Sequence, residues 1–499
     1  MAQLLNAPDE EMILPGSGFY FEVDQPATFP VSAGSRVLVP FTANWGPVNV
    51  PVVLANYREY VNGGVRNGQR FSGFGPADTS GRRRVLHAFL GEGLPGKGGA
   101  GSVAAVRMAT AAAAKAAHTF NNSTPAPALT ITARYEGTRG NGFGFTHRPG
   151  AEAGTDEFVL IEGGREKEVY PYPETNVAQL AADINATTTS LITAASVITG
   201  VALADVSNVA LTGGNDGSGL LVGDWTALFD ALAYEPFGVF AAAGLTDAGI
   251  LAALYAWQEE SEALGKPFMV VEGGPAAEGF SAHKTRATAR NNSNVIVFGT
   301  GSIGDTVLSG DGTEIVISTA EAAARVAGAV ARRGEALDMV NVRFAGWRAI
   351  AGANRSQAEI AASSGMTLLT RDGDPDAPTK IGLGVTSYSV GTLERPLWHY
   401  SNVKFVRTDH GLVTDITADQ EFGDLIGEMG VGERARDIVL GRATEIVAER
   451  IRRGILQPRT TVMLDPDVPI DDNSDEIALA YDVWDVRGLR KIRNRIRLH

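Results

Sequence analysis

Residues 492–498 alternate cleanly between two faces. Ile492, Ile496 and Leu498, with Asn494 between them, fall on one side of an extended strand. Arg493, Arg495 and Arg497 fall on the other. A segment at a chain end frays unless something ties it down. A two-faced strand in that position has apolar groups and backbone donors that need a partner, in the same subunit or in a neighbouring one. The other end repeats the pattern. Pro15-Gly16-Ser17-Gly18 punctuates the chain, and Phe19, Tyr20, Phe21, Glu22 and Val23 follow as a short aromatic strand. Residues 1–30 carry Asp9, Glu10, Glu11, Glu22 and Asp24 and no base, whereas residues 486–499 carry only basic charges. The two ends are therefore electrostatically complementary. Intramolecular tucking and exchange between subunits both satisfy this pattern.

At 499 residues the chain exceeds what one core supports, and three or four domains are expected. It has no apolar run of about 18 residues, so no membrane insertion is expected. Met1 opens an acidic, mixed segment without a basic n-region, so no signal peptide is expected. Cysteine is absent, which excludes disulfides, thiolate metal sites and cysteine nucleophiles. The net charge of −14 opposes direct nucleic-acid binding.

Along the chain, Arg36 to Ala43 reads as a buried strand followed by the turn Asn44-Trp45-Gly46-Pro47, and Val52 to Leu54 as a second strand. Residues 62–84 are rich in Gly and Arg and read as a surface loop. Val103 to Met108 is another apolar run, and Pro125-Ala126-Pro127 marks a boundary. Residues 128–214 read as an inserted, mostly β domain with one helix, N-capped by Thr175. From residue 224 helical and strand patterns alternate, implying a layered α/β sheet. Strands are expected at Phe268–Val271, Val295–Phe298 and Met366–Leu369. Helices are expected after Asp224, around Ile250–Tyr255, over 320–333, and from a capping box at Ser356–Glu359. The C-terminal part begins near Thr386. Its main element is a helix over 433–453 with an apolar stripe of Ala435, Ile438, Val439, Ala443, Ile446, Val447 and Ile451. An acidic strand around Ile477–Trp484 follows, beside the basic terminal strand.

Two glycine motifs raise nucleotide chemistry and fail on context. Gly91 to Lys97 has the G-x-x-x-x-G-K spacing, but Gly98 stands where a magnesium-binding hydroxyl is required. Gly299 to Gly304 matches G-x-G-x-x-G after a strand, yet residues 305–312 read as a turn-rich loop where a helix should begin. No two of the seven histidines stand four apart, and His399 and His410 lack a nucleophile elbow. No catalytic, cofactor or metal constellation emerges, so the expectation is a structural protein, not an enzyme.

Several segments, in order, resemble the tail sheath proteins of contractile phage tails and of R-type pyocins and related injection machines. Val37 to Pro47 resembles the sheath N-terminal strand and its Gly-Pro turn. Residues 129–141, LTITARYEGTRGN, resemble the start of the sheath's inserted β domain, and 211–217, LTGGNDG, its end. Residues 321–332, EAAARVAGAVAR, resemble the Ala-Gly helix of the middle domain, and 363–370, SSGMTLLT, the strand before the C-terminal domain. Residues 422–456 resemble the C-terminal helix region. The first strand departs from the compact Pro-Gly-Val-Tyr signature, reading Pro15-Gly16-Ser17-Gly18-Phe19-Tyr20.

The resemblance implies a multidomain α/β and α+β fold. It comprises an N-terminal arm (1–30), a discontinuous middle domain (31–127 plus 215–385), an inserted β domain (128–214) and a C-terminal sheath domain (386–499). It implies hexameric rings stacked helically around a tail tube protein, with baseplate and tail terminator or neck proteins as further partners. It implies a place in the virion after assembly in a host cytoplasm, and no cofactor. It also favours exchange of residues 19–23 and 492–498 between subunits. A genome-free, pyocin-like particle is the alternative setting.

Overall fold

A computed structural model describes residues 36–66, 69–75, 80–93, 98–187, 191–275, 278–300, 305–308, 314–335, 337–348, 354–370, 379–388, 402–417, 419, 433–466 and 479–484. The chain divides into two compact units. The first draws mainly on His87–Gly101 and Pro236–His499, the second on Leu38–Leu86 and Ser102–Glu235.

In the second unit, β1 (Arg36–Phe41), β5 (Ser102–Arg107) and β2 (Pro51–Leu54) lie side by side, β5 in the middle. α1 (Tyr57–Asn62) and the hairpin β3 (Gly64–Arg66) and β4 (Gln69–Phe71) follow β2. The segment expected as a loop over 62–84 thus contains a hairpin and the start of α2 (Ser80–Leu90). Two sheets and a helix then enclose an aromatic core. One sheet has the order β11 (Ile192–Ser196), β7 (Pro127–Ala133), β6 (Ala117–Asn121). The other runs β10 (Arg165–Pro173), β9 (Thr155–Glu162), β8 (Phe143–Pro149), β12 (Val206–Ala210). Alternation decides which side chains point inward: Leu129, Ile131, Phe143, Phe145, Phe158 and Leu160 are fully buried. α3 (Val177–Ala186) adds Val177, Leu180 and Ile184 to that core. Its N-cap is Asn176, whose side chain accepts from Gln179 N at 3.0 Å, and not the expected Thr175.

The connection between β7 and β8 is tied to the segment that follows β12. Asp216 accepts from Thr138 N at 2.6 Å and from its hydroxyl at 3.0 Å. Asn141 exchanges hydrogen bonds with the backbone of Gly214 at 3.0 and 2.8 Å. Gly137, at φ +128°, approaches so closely that a Cβ there would lie 2.1 Å from Asn44 O. α4 (Val222–Leu232) buries Trp225, Leu228, Phe229 and Leu232; Asp224 sits in its first turn and accepts from Leu221 N at 2.8 Å.

In the first unit, β13 (Val239–Ala241), β14 (Met269–Glu272), β15 (Val295–Thr300) and β20 (Met366–Thr370) run parallel in that order. Their near-continuous apolar runs follow from burial on both faces. β21 (Thr379–Ile381) and β18 (Val342–Phe344) extend the sheet antiparallel beyond β20. α5 (Ala248–Ala263), α6 (Phe280–Arg290), α7 (Thr319–Arg333) and α8 (Arg355–Ser363) accompany the strands. α7 is N-capped by Ser318 and buried along most of residues 319–331. α8 starts one cap earlier than expected, with Asn354 and Gln357 forming the capping box instead of Ser356 and Glu359. Asp305–Leu308, expected as a turn, is a strand (β16) between β17 (Glu314–Ile317) and β19 (Trp347–Arg348).

Candidate assembly surface

The candidate surface lies at the end of the first unit, on α9 (Val403–Thr417), α10 (Glu433–Arg452), β22 (Thr461–Leu464) and β23 (Leu479–Asp482). α9 was not anticipated, although Val403, Val406, Arg407 and His410 keep helical spacing and are all buried. Arg407 Nη1 donates to Gly238 O at 2.9 Å. His410 Nε2 meets Asn294 Oδ1 at 2.7 Å, and Asn294 Nδ2 donates to Glu262 at 2.6 Å. Burial, with Arg407 adding to it, pushes His410 down to about 3, so its imidazole is neutral near pH 7. A neutral, packed ring on an asparagine is a fastener, not a general base.

α10 is tied to α9 by charge. Arg450, its side chain almost fully buried, donates from Nε to Asp415 Oδ2 at 2.9 Å and pairs with Glu335. Gly411 of α9 makes room for that carboxylate: a Cβ there would stand 2.1 Å from Glu335 Oε1. Arg442 Nη2 donates to Asp419 at 2.8 Å. Of the expected stripe, Ala443 and Val447 are buried and Ile446 and Ile451 pack at the cluster edge, whereas Ile438 faces solvent. Glu449 and Arg453 pair at 2.9 Å.

Past α10, Gly454 turns the chain at φ +71°, and Leu456 is buried beside Leu412 and Val447. β22 follows and pairs antiparallel with β23 in the register Thr461↔Asp482 to Leu464↔Leu479. Val462 and Tyr481 pack on the Leu412–Val447–Leu456 cluster. Trp484 closes the hairpin: its N–H donates to Thr460 Oγ1 at 3.1 Å, its carbonyl accepts from Gln457 N at 2.7 Å, and Arg459 lies over its ring. β22 was not foreseen, although Thr461-Val462-Met463-Leu464 between Pro458 and Pro466 has the composition of a strand.

Among the described residues this sheet has two strands and therefore two outer edges. A two-stranded sheet is marginal by itself, and each outer edge presents backbone donors and acceptors to an incoming strand. Met463 stands exposed on β22. The sequence-derived strands Phe19–Val23 and Ile492–Leu498 lie outside the described residues.

Elsewhere, His87, His147, His283 and His410 are buried. Among the described residues no group of three or more His, Asp or Glu is placed to hold a metal, and no helix is long and apolar enough to cross a membrane.

No protein-family model and no curated protein sequence matches the chain. Solved structures do. The sheath tail protein of Desulfitobacterium hafniense aligns over 94% of this chain and 100% of its own, with a TM-score of 0.64 and 17% identity. A sheath tail protein of Listeria innocua aligns over 90% of this chain and 94% of its own, with a TM-score of 0.63 and 17% identity. The helical sheath of the anti-feeding prophage in its contracted state aligns over 97% and 99%, with a TM-score of 0.51 and 12% identity. The chain has the fold of these contractile-sheath proteins, and the resemblance read from its sequence segments holds at the level of architecture.

Proposed function

We propose that this chain is the structural subunit of a contractile tail sheath. The observation that carries the reading is the end-to-end likeness in fold: nearly all of this chain aligns with the whole of a solved sheath tail protein. In this reading copies form hexameric rings stacked helically around a tail tube, and the assembly meets a baseplate at one end and terminator or neck proteins at the other. The part from residue 386 onward faces the tube, and residues 128–214 decorate the outside.

Residues 19–23 and 492–498 add as strands to the β22–β23 sheets of neighbouring subunits. Each ladder hydrogen bond contributes about 1 kcal/mol net. Repetition over every subunit turns a modest contact into a lattice that holds together. Subunits then rotate and slide as rigid bodies between an extended and a contracted lattice, driving the tube through a host envelope. The particle is a virion tail assembled in the host cytoplasm, and the role requires no cofactor or catalysis. A genome-free injection particle of the same mechanics is the second reading.

Negative-stain imaging of the purified chain tests this. Wide, helically ridged cylinders are expected. Closed shells or thin smooth tubes would assign it to a capsid or tube subunit. Nucleotide binding near Gly96 or Gly299 would favour an enzyme instead.

A further inference from the structure

We infer that Asn494 of a neighbouring copy hydrogen-bonds to Tyr481, and that this pair sets the register of the C-terminal strand on the outer edge of β23. The inference rests on the strand exchange of the proposed function and adds the alignment, which that reading leaves open.

Two polar groups stand where apolar ones would serve. The first is in the fold. Tyr481 packs on the Leu412–Val447–Leu456 cluster, its Oη is buried, and among the described residues nothing hydrogen-bonds to it. A buried hydroxyl left unpaired is costly, and a buried tyrosine normally finds a partner for its O–H. The second is in the sequence. Asn494 falls on the apolar side of the expected strand, between Ile492 and Ile496. An amide on that side needs a partner once the side is covered.

The flanks of the two groups match. Alternation puts Leu479, Tyr481 and Val483 on one side of the chain through β23, and Val483 packs on the same cluster. With Asn494 opposite Tyr481, Ile492 and Ile496 fall opposite Leu479 and Val483, whichever way the strand runs. On the other side Arg493 and Arg495 then fall opposite Ala480 and the exposed Asp482, so one arginine meets the aspartate. A slip of one residue turns the arginines onto the cluster. A slip of two sets an isoleucine opposite Tyr481 and moves Asn494 to where it faces an apolar residue. A single polar pair in an apolar seam therefore selects one alignment, as a buried asparagine does in a coiled coil.

The absence of cysteine gives a direct test. Four variants of the full chain combine Ala480→Cys or Asp482→Cys with Arg493→Cys or Arg495→Cys, all on the side away from the Tyr481–Asn494 pair. Positions directly opposite lie within disulfide range, and positions two residues out of step do not. Assembled protein is mildly oxidised and run on a denaturing gel without reductant. The inferred alignment links copies in two of the four variants: 480 with 495 and 482 with 493 if the strands are antiparallel, or 480 with 493 and 482 with 495 if parallel. A slip of two residues links only one. In addition, Tyr481→Phe and Asn494→Leu should each raise the critical concentration for assembly at least about threefold, and the double variant should raise it no further than the worse single one, because neither polar group is then stranded. Any other number of linked variants, or single effects that multiply in the double variant, overturns this inference, and ridged cylinders in the same material leave the sheath reading standing. Links within one chain, seen at monomer mass, overturn both the inference and the exchange beneath it. Two linked variants with coupled effects, in assemblies that lack the form of ridged cylinders, uphold the alignment and overturn the sheath reading. A chain that stays monomeric at all concentrations overturns both.

Discussion

The glycine that opens the G-x-G-x-x-G match is explained by a histidine: a Cβ on Gly299 would stand 2.5 Å from Cβ of His283. His283 lies on α6, buried against β15, and its burial lowers its pKa. Gly299 is small because a helix side chain occupies the space above the strand. Replacing Gly299 by Ala should cost about 1–3 kcal/mol of stability through overpacking. The check is a urea titration with a lower midpoint and an unchanged slope. In a double-mutant cycle, adding His283→Ala should recover only part of the loss, because it removes Cγ and Cδ2, at 2.6 and 2.9 Å from the new Cβ, and leaves Cβ of His283 in place.

The sequence made regular, self-contained elements legible. β14, β15, β20 and α7 were readable because apolar runs and 3.6-residue periodicity report burial directly, whereas β13, three residues long, was not. Caps slipped by one or two residues, at Thr175 against Asn176 and Ser356 against Asn354, because adjacent Ser, Thr and Asn residues are nearly equivalent caps. α9 and β22 were missed. α9 spends buried positions on Arg407, Thr408 and His410, which a hydrophobic pattern does not count. β22 is four residues long, too short for alternation to stand out. Half of the candidate surface, α10 and β23, was therefore visible beforehand, and the half that pairs with it was not.

Gly328 and Gly441 should respond to Ala with opposite signs. Both sit inside helices, where Ala is favoured by about 1 kcal/mol. At Gly441 of α10 nothing stands within 4 Å of a new Cβ, so Gly441→Ala should raise stability by about 0.5–1 kcal/mol. At Gly328 of α7 the Cβ would lie 2.1 Å from Ala88 O, a backbone atom of α2 that cannot rotate away. Gly328→Ala should therefore lower stability, by about 2 kcal/mol after the propensity gain. Thermal midpoints of the two variants, each measured against the parent, check the sign.

Acid should loosen the joint between α9 and the parallel sheet. His410 has its pKa depressed from 6.5 to about 3 in the folded chain. Between those values the unfolded chain binds a proton that the folded chain refuses. Its contribution is thus fully present above pH 6.5 and is lost progressively as the pH falls toward 3. The slope is up to about 1.4 kcal/mol per pH unit. The groups facing the ring are Arg407 on its own helix and Asn294 ahead of β15, itself bonded to Glu262. Carboxylates also titrate in this range, so the measurement is a difference. Stability against pH is compared for the parent chain and His410→Gln, which keeps a donor for Asn294 but no titrating ring. The two curves should converge as the pH drops from 6.5 to 4, and parallel curves would contradict the assignment.

Removing residues 491–499 should abolish long assemblies while leaving the folded subunit intact. In the proposed lattice this segment supplies a strand to an outer edge of a neighbour's β22–β23 sheet. Its loss removes one of the two strands added to that sheet and bares an edge again. In that lattice the segment packs on a neighbour's sheet, so circular dichroism and the thermal midpoint of the unassembled subunit should change little. Electron microscopy should then show rings or short stacks where the parent chain gives full cylinders. Reversing the charge at Arg493, Arg495 and Arg497 separates the electrostatic part of the contact. The acidic run over 465–485 offers a complementary surface, so the reversed chain should polymerise poorly at low salt and recover as salt screens the repulsion. Normal-length cylinders from the truncated chain would mean that the segment is no structural link between copies. Equal salt response in the reversed and parent chains would mean that the arginines merely face water.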